Sequence, residues 1–238
     1  MDLKKATWKE SDKKAFIHYL ESLGDTSKVN WSKNILNTTS DVLAIKTKVM
    51  VKVANDILKG NYQSFLELQI TDYYETIALY GMILNRMPDK ASLITYLNPY
   101  LDMMNSWAHC DLLKFPFLEK EKDTYLELSK AFRFDHREMV RRLSLYILFM
   151  YVKDNTMLKY IFEAIIDLEK EEAYYVIMMA GWLLSECLIK HKDSTESFLK
   201  NQSINPKIVN KAIQKCRESN RLTTEEKETL LKYKIKNK

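Results

Sequence analysis

Three short segments carry residue types that could do chemistry. The first is Asn105-Ser106-Trp107-Ala108-His109-Cys110-Asp111. Trp107 and Asp111 are four residues apart, so on a helix they project from one face, and Asn105 or Ser106 is suited to cap that helix. An aromatic plane beside a carboxylate suits a cationic or oxocarbenium-like species, which the ring quadrupole and the carboxylate charge both attract. A core Trp next to a surface Asp is the commoner use of such a pair. His109 and Cys110 have no matching ligands nearby and read as packing residues, not as a metal site or a nucleophile.

The second segment is His136-Arg137-Glu138-Met139-Val140-Arg141-Arg142, followed by the apolar run LSLYILFMYV. Arginines opening an otherwise buried helix are costly unless paired or exposed in a groove. There a guanidinium grips a phosphate bidentately or holds Asp111 in place. Ion pairs with Asp135 and Glu138 account for them equally well. The third segment runs from Tyr174 to Glu186. Ala173, Ile177, Ala180, Leu184 and Leu188 make a stripe for the core, and Trp182 falls off it, with Tyr175, Met178 and Ser185. Packing on a neighbouring helix is the ordinary role of such a Trp. Gly181 costs a helix up to ~1 kcal/mol against Ala, so a close approach to its backbone is expected.

The elements that must position these residues are helices. Only four Gly and four Pro occur in 238 residues, too few for the turns of a sheet protein. Apolar periodicity predicts helices near 7–22, 27–36, 46–59, 61–69, 72–86, 90–104, 120–131, 136–152, 156–169, 172–190, 193–200, 206–219 and 223–233. Gly24 and Gly60 sit where C-terminal stops belong. Asp72, Asp193 and Thr223-Thr224-Glu225-Glu226 mark helix starts, and Pro99 is expected to kink or interrupt its helix. Trp107, Arg142 and Trp182 lie 35 and 40 residues apart, close to the period of a HEAT-type helix pair. In a solenoid of such pairs, residues one repeat apart line one surface. The fold expected is therefore all-α: a right-handed solenoid of antiparallel helix pairs, HEAT-like or ARM-type, with a concave cleft. A compact non-repeating bundle is the competing architecture. Nothing resembles a linker, so residues 1–238 read as a single domain with a basic tail from about residue 233.

Net charge is +5, and it is uneven. Pro206 to Lys238 holds eight Lys and two Arg against four Glu, a net +6, so the rest is close to −1. Such a block tolerates a polyanion, of which nucleic acid is the commonest. The three Cys are widely spaced and form no CxxC pair, the first residues lack a signal-peptide core, and the longest apolar run is too short for a membrane span. A reducing cytoplasm, with nucleoid association when bound to DNA, is the expected location.

Taken together, Asn105 to Asp111, Arg141-Arg142 and Ala180-Gly181-Trp182-Leu183-Leu184 resemble the AlkD family of bacterial DNA alkylation repair proteins. The segment Asn210-Lys211-Ala212-Ile213-Gln214-Lys215-Cys216-Arg217-Glu218-Ser219 is similar to the ending of one branch. The likeness covers roughly residues 25–235. It implies a HEAT-like solenoid whose basic concave surface holds duplex DNA, and hydrolysis of the N-glycosidic bond of N3- and N7-alkylated purines. By the resemblance, Asp111 matches the catalytic carboxylate, Trp107 and Trp182 the aromatic walls, and Arg142, with Arg141 beside it, the cleft arginine. Trp31 matches an aromatic position on the N-terminal helices. No metal or organic cofactor is implied, and the partner is double-stranded DNA containing alkylated bases, bound by a monomer.

Three departures bear on substrate range and rate. Residue 185 is Ser where the best-known members carry an Arg. The usual Gly-Val/Ile-Arg type turn appears as Leu43-Ala44-Ile45-Lys46, without its glycine, and His109-Cys110 replaces a more polar pair. Two other readings stay open on the sequence: a non-catalytic binder of damaged or unusual DNA, and a helical scaffold with no DNA role, in which Arg142 and the Trp pair would be buried or dispersed.

Overall fold

A computed structural model describes residues 1–235, so the end of the basic tail lies outside the described residues. Among them the chain is helical, and its one β-bridge is the isolated pair Asp41 and Tyr73. The chain divides into two compact units, Met1–Glu121 and the remainder from Lys122. Each is organised around a helix that is apolar on nearly every side, as a helix must be when its neighbours surround it.

In the first unit that helix is α5 (Tyr74–Leu84), in which nine of eleven residues are buried. It packs against α3 (Thr47–Ile57), α6 (Lys90–Met103) and the short α7 (Trp107–Asp111). Pro99 lies inside α6 without ending it: the bond its missing N–H forfeits is offset by burial of Leu97, Tyr100 and Leu101 around it. Before these come α1 (Lys13–Glu21), α2 (Val29–Leu36) and α4 (Tyr62–Glu67). Trp8, Phe16 and Phe65 lock α1 and α4 together edge to face, with ring centroids 5.1–5.5 Å apart. Gly60 does follow a helix end, but its φ is not left-handed. A Cβ there would stand 2.6 Å from Lys4 C and Lys5 O, so the glycine admits the N-terminal segment, which receives the Asn61 N–H on Lys5 O at 2.8 Å.

The second unit is built of helix pairs. Helices α8 (Lys122–Phe132) and α9 (Glu138–Met150) run antiparallel, as the contacts Lys122 to Asp154 and Ser129 to Ser144 require. Then α10 (Leu158–Asp167) packs on α11 (Tyr174–Lys190), which α12 (Lys192–Asn201) and α13 (Pro206–Glu218) also contact. Arg142 meets Tyr175 and Phe149 meets Trp182, so α9 and α11 lie parallel at a 33-residue offset. Gly181 against Lys211 and Ser185 against Cys216 set α13 parallel to α11. The partner helices make a second layer: Arg133 of α8's end reaches Asp167 on α10, and Phe162 stacks on Phe198 of α12 at 4.1 Å. Finally α14 (Thr224–Leu230) is opened by a capping box in which Thr223 Oγ1 accepts the Glu226 N–H at 3.2 Å and Glu226 returns the favour to Thr223 N–H at 2.9 Å.

The predicted helices reappear within a few residues of their limits, except that the first begins at Lys13 and not near residue 7, and that periodicity does not mark α7. Asp72 and Asp193 sit beside helix starts, but the N-cap positions are Tyr73 and His191. No helix of the described residues is long and apolar enough to cross a membrane. The three cysteines are buried, and no cluster of His, Cys, Asp or Glu among the described residues is placed to hold a metal ion.

Candidate functional site

Five residues are too few to hold a helix by themselves, so α7 is positioned by its surroundings. Its N-cap is Ser106, whose Oγ accepts the Ala108 N–H at 3.3 Å and donates to Leu36 O at 2.8 Å. Trp107 Nε1 donates to Ile35 O at 3.1 Å. Two carbonyls orphaned at the C-terminus of α2 are thereby satisfied by α7, which fixes one element against the other. Asn105 adds a third tie: its Oδ1 accepts from Thr38 Oγ1 and its Nδ2 donates to Ser40 Oγ, both at 2.7 Å.

Beneath α7 lies His109, fully buried and stacked on Tyr74 with centroids 4.5 Å apart. Its Nδ1 faces the Asn105 N–H at 3.4 Å, so the proton belongs on Nε2, which faces Tyr74 O at 3.1 Å. Burial pulls its pKa down to about 4, against the bond to Tyr74 O, so at neutral pH no cation stands there. Tyr100 donates to His109 O at 2.8 Å. His109 and Cys110 thus form the inner face of α7, as packing residues, and Trp107, Ala108 and Asp111 the half-exposed outer one.

Burial raises the pKa of the Tyr74 phenol, and the Glu75 and then the Asp111 carboxylate add to it. Tyr74 in turn lines a pocket of about 300 Å³ with Trp31, Ile35, Ala44, Lys46 and Glu75. Trp31 is 66% exposed and stands one turn before Ile35 on α2, so both present one face. Buried Glu75 accepts the Leu43 and Ile45 N–H groups at 3.0 and 3.3 Å. Between them Ala44 is held at φ 58°, in the left-handed region. That is the conformation a glycine suits, and here an alanine adopts it.

Tyr74 and Glu75 are the site residues that the motifs do not single out. Their signal is local: an aromatic and a carboxylate opening an otherwise apolar helix. The carboxylate is costly to bury unless bonded.

In the second unit, Arg141 and Arg142 part company. Arg141 clasps Glu171 with Nε to Oε2 at 2.8 Å and Nη2 to Oε1 at 3.2 Å, and its Nη1 donates to Asp135 O and His136 O. Burial raises the Glu171 carboxyl, but the Arg141 fork and the Ala173 N–H outweigh it and hold its pKa below the usual value. Arg142 is only 5% exposed and donates from Nη1 to Tyr175 O at 2.9 Å, while Glu138 accepts the Tyr175 N–H at 2.8 Å. Expected in a groove, Arg142 instead joins α9 to the first turn of α11.

Half-buried Trp182 tilts against Phe149, with centroids 4.3 Å apart. Ser185 is buried, and its hydroxyl donates to Trp182 O at 2.7 Å; turned onto its own helix, it offers nothing to a phosphate. The close approach expected at Gly181 is the Lys211 stem, whose Cγ and Cβ would lie 2.5 and 2.7 Å from a Cβ there.

The structure therefore gathers Trp31, Trp107 and Asp111 in the first unit, and Arg141, Arg142 and Trp182 along the α9–α11 seam of the second. Among curated proteins the chain finds no match. Residues 16–219 match the model of a family described as DNA alkylation repair enzyme. That span takes in α7, both arginines and Trp182, and the chain belongs to the DNA alkylation repair enzyme family.

Proposed function

We propose that the protein is a monofunctional DNA glycosylase that hydrolyses the N-glycosidic bond of cationic N3- and N7-alkylated purines in duplex DNA. The observation that carries this reading is α7 itself: a five-residue helix tied down by Ser106, Asn105 and His109 so that Trp107 and Asp111 present one half-exposed face. An alkylated purine already bears positive charge and leaves without a general acid. What remains is positive charge growing on the sugar and a water to be positioned. The Asp111 carboxylate stabilises the oxocarbenium-like state and accepts the proton of the water that attacks C1′. Trp107 adds cation–π attraction on the same side.

Trp31 widens the aromatic surface, and Trp182 and the two arginines serve from the second unit. Arg142 and Arg141 then act mainly by fixing α9 and α11. The helix pairs continue into a right-handed HEAT-like solenoid with a concave face for the duplex, and the protein works as a monomer in the cytoplasm without a cofactor.

A second reading is a non-catalytic binder of damaged or unusual DNA; the burial of Arg142, bonded to Tyr175 O, is by contrast what a helical scaffold with no DNA role would show. Release of free 3-methyladenine or 7-methylguanine from methylated duplex DNA tests the choice. Release supports the glycosylase, and tight binding without release supports the binder.

A further inference from the structure

In the second unit a groove of about 920 Å³ lies between α13 and α14. Lys207, Lys211, Arg217, Lys227 and Lys234 line it against Glu218 and Glu228. Lys207 is paired with Glu172, and Glu218 with Lys215. Arg217, Lys227 and Lys234 make no ion pair among the described residues. Three unpaired cations on two helices and a tail segment match a repeating anion better than a single one.

The segment after α14 is fastened to this groove. Leu230 is buried, and the turn Leu231–Tyr233 is held on α12, where Tyr233 donates to Glu196 at 2.6 Å and Lys232 lies 3.4 Å from it. Asn210 then grips the backbone of Ile235 with both ends of its amide: Nδ2 donates to Ile235 O at 2.8 Å, and Oδ1 accepts the Ile235 N–H at 2.9 Å. A single side chain thus pairs with the segment as a neighbouring strand would. The effect is to hold Lys234 on a groove already lined by cations, against their mutual repulsion. Such an arrangement is useful when an anion occupies the groove.

We propose that this groove takes the sugar–phosphate backbone of duplex DNA, and that the C-terminal segment is its fixed wall, latched by Asn210. The proposal rests on the reading of the protein as DNA-binding and adds a contact surface remote in sequence from α7.

The test is the salt dependence of binding of the full chain to a short undamaged duplex. Each phosphate neutralised contributes about 0.9 to the slope of log K against log salt. The triple variant Arg217→Gln, Lys227→Gln, Lys234→Gln is expected to lower the slope by about 2 to 3, and Asn210→Leu by about 1. Thermal melts verify that both variants are folded. Unchanged slopes in both variants, with the wild type still binding, overturn the groove alone. A wild type that binds no duplex overturns the DNA reading and the groove with it. Displacement of duplex by inorganic tripolyphosphate at equal phosphate concentration overturns the assignment to a DNA backbone.

Discussion

Acid should loosen the support of α7 through His109. The imidazole is buried, stacked on Tyr74, and its Nδ1 faces the Asn105 N–H. Protonation would place a charge there and remove that acceptor. With a folded pKa of about 4 against an ordinary 6.5, the unfolded chain takes up the proton first. The stabilisation is complete above pH 6.5 and is lost as pH falls from 6.5 towards 4. The full shift corresponds to about 3 kcal/mol, and about 2 kcal/mol of it is gone at pH 5. His109→Gln keeps one donor and one acceptor but does not titrate. Urea unfolding at pH 7.5, 6 and 5 should find the variant less stable at pH 7.5, with the gap narrowing by about 2 kcal/mol at pH 5. The remaining histidines are common to both proteins and cancel. Parallel stability curves for the two proteins would refute the argument.

Three further outcomes follow from the packing. Ala44→Gly should raise stability by about 0.5–1 kcal/mol, because it removes a left-handed alanine; a melting temperature about 1–4 °C higher would register it. Gly181→Ala should cost about 1–3 kcal/mol, since the new methyl meets the Lys211 stem rather than its mobile end, and chemical denaturation would read the loss. Trp107→Phe removes the bond to Ile35 O and should cost about 1 kcal/mol, again by denaturation, with the helical circular dichroism unchanged.

What the sequence shows plainly is whatever repeats over a dozen residues. The long helices declare themselves through apolar period, and α5 and α11 through being apolar all round. Helix α7 has no period to read: five residues are held by Ser106 and Trp107 capping a helix some 70 residues earlier. At Pro99 the local backbone cost is visible in sequence, while the burial of Tyr100 and Leu101, with which α6 runs on through it, is not. For the two arginines the sequence leaves a phosphate contact and an ion pair equally open. Arg141 and Arg142 are adjacent and look alike, yet their partners, Glu171 and the Tyr175 carbonyl, arrive from 30 and 33 residues away. By contrast the close approach at Gly181 was legible, since an unexplained glycine inside a long apolar helix has few other reasons to be there. Trp31 and the α7 pair were legible as types, whereas Tyr74 and Glu75 acquire meaning only when α5 is laid beside α7.

We propose that Asp111 performs the chemistry and does not merely support the fold. Single-turnover release of 7-methylguanine from methylated duplex DNA, measured for the wild type and Asp111→Asn beside their duplex affinities, tests it directly. The wild type should release the base, Asp111→Asn should lose at least about a hundredfold in rate, and the two affinities should agree within a few-fold. Release undiminished in Asp111→Asn, or absent from a wild type that binds the duplex, would contradict it.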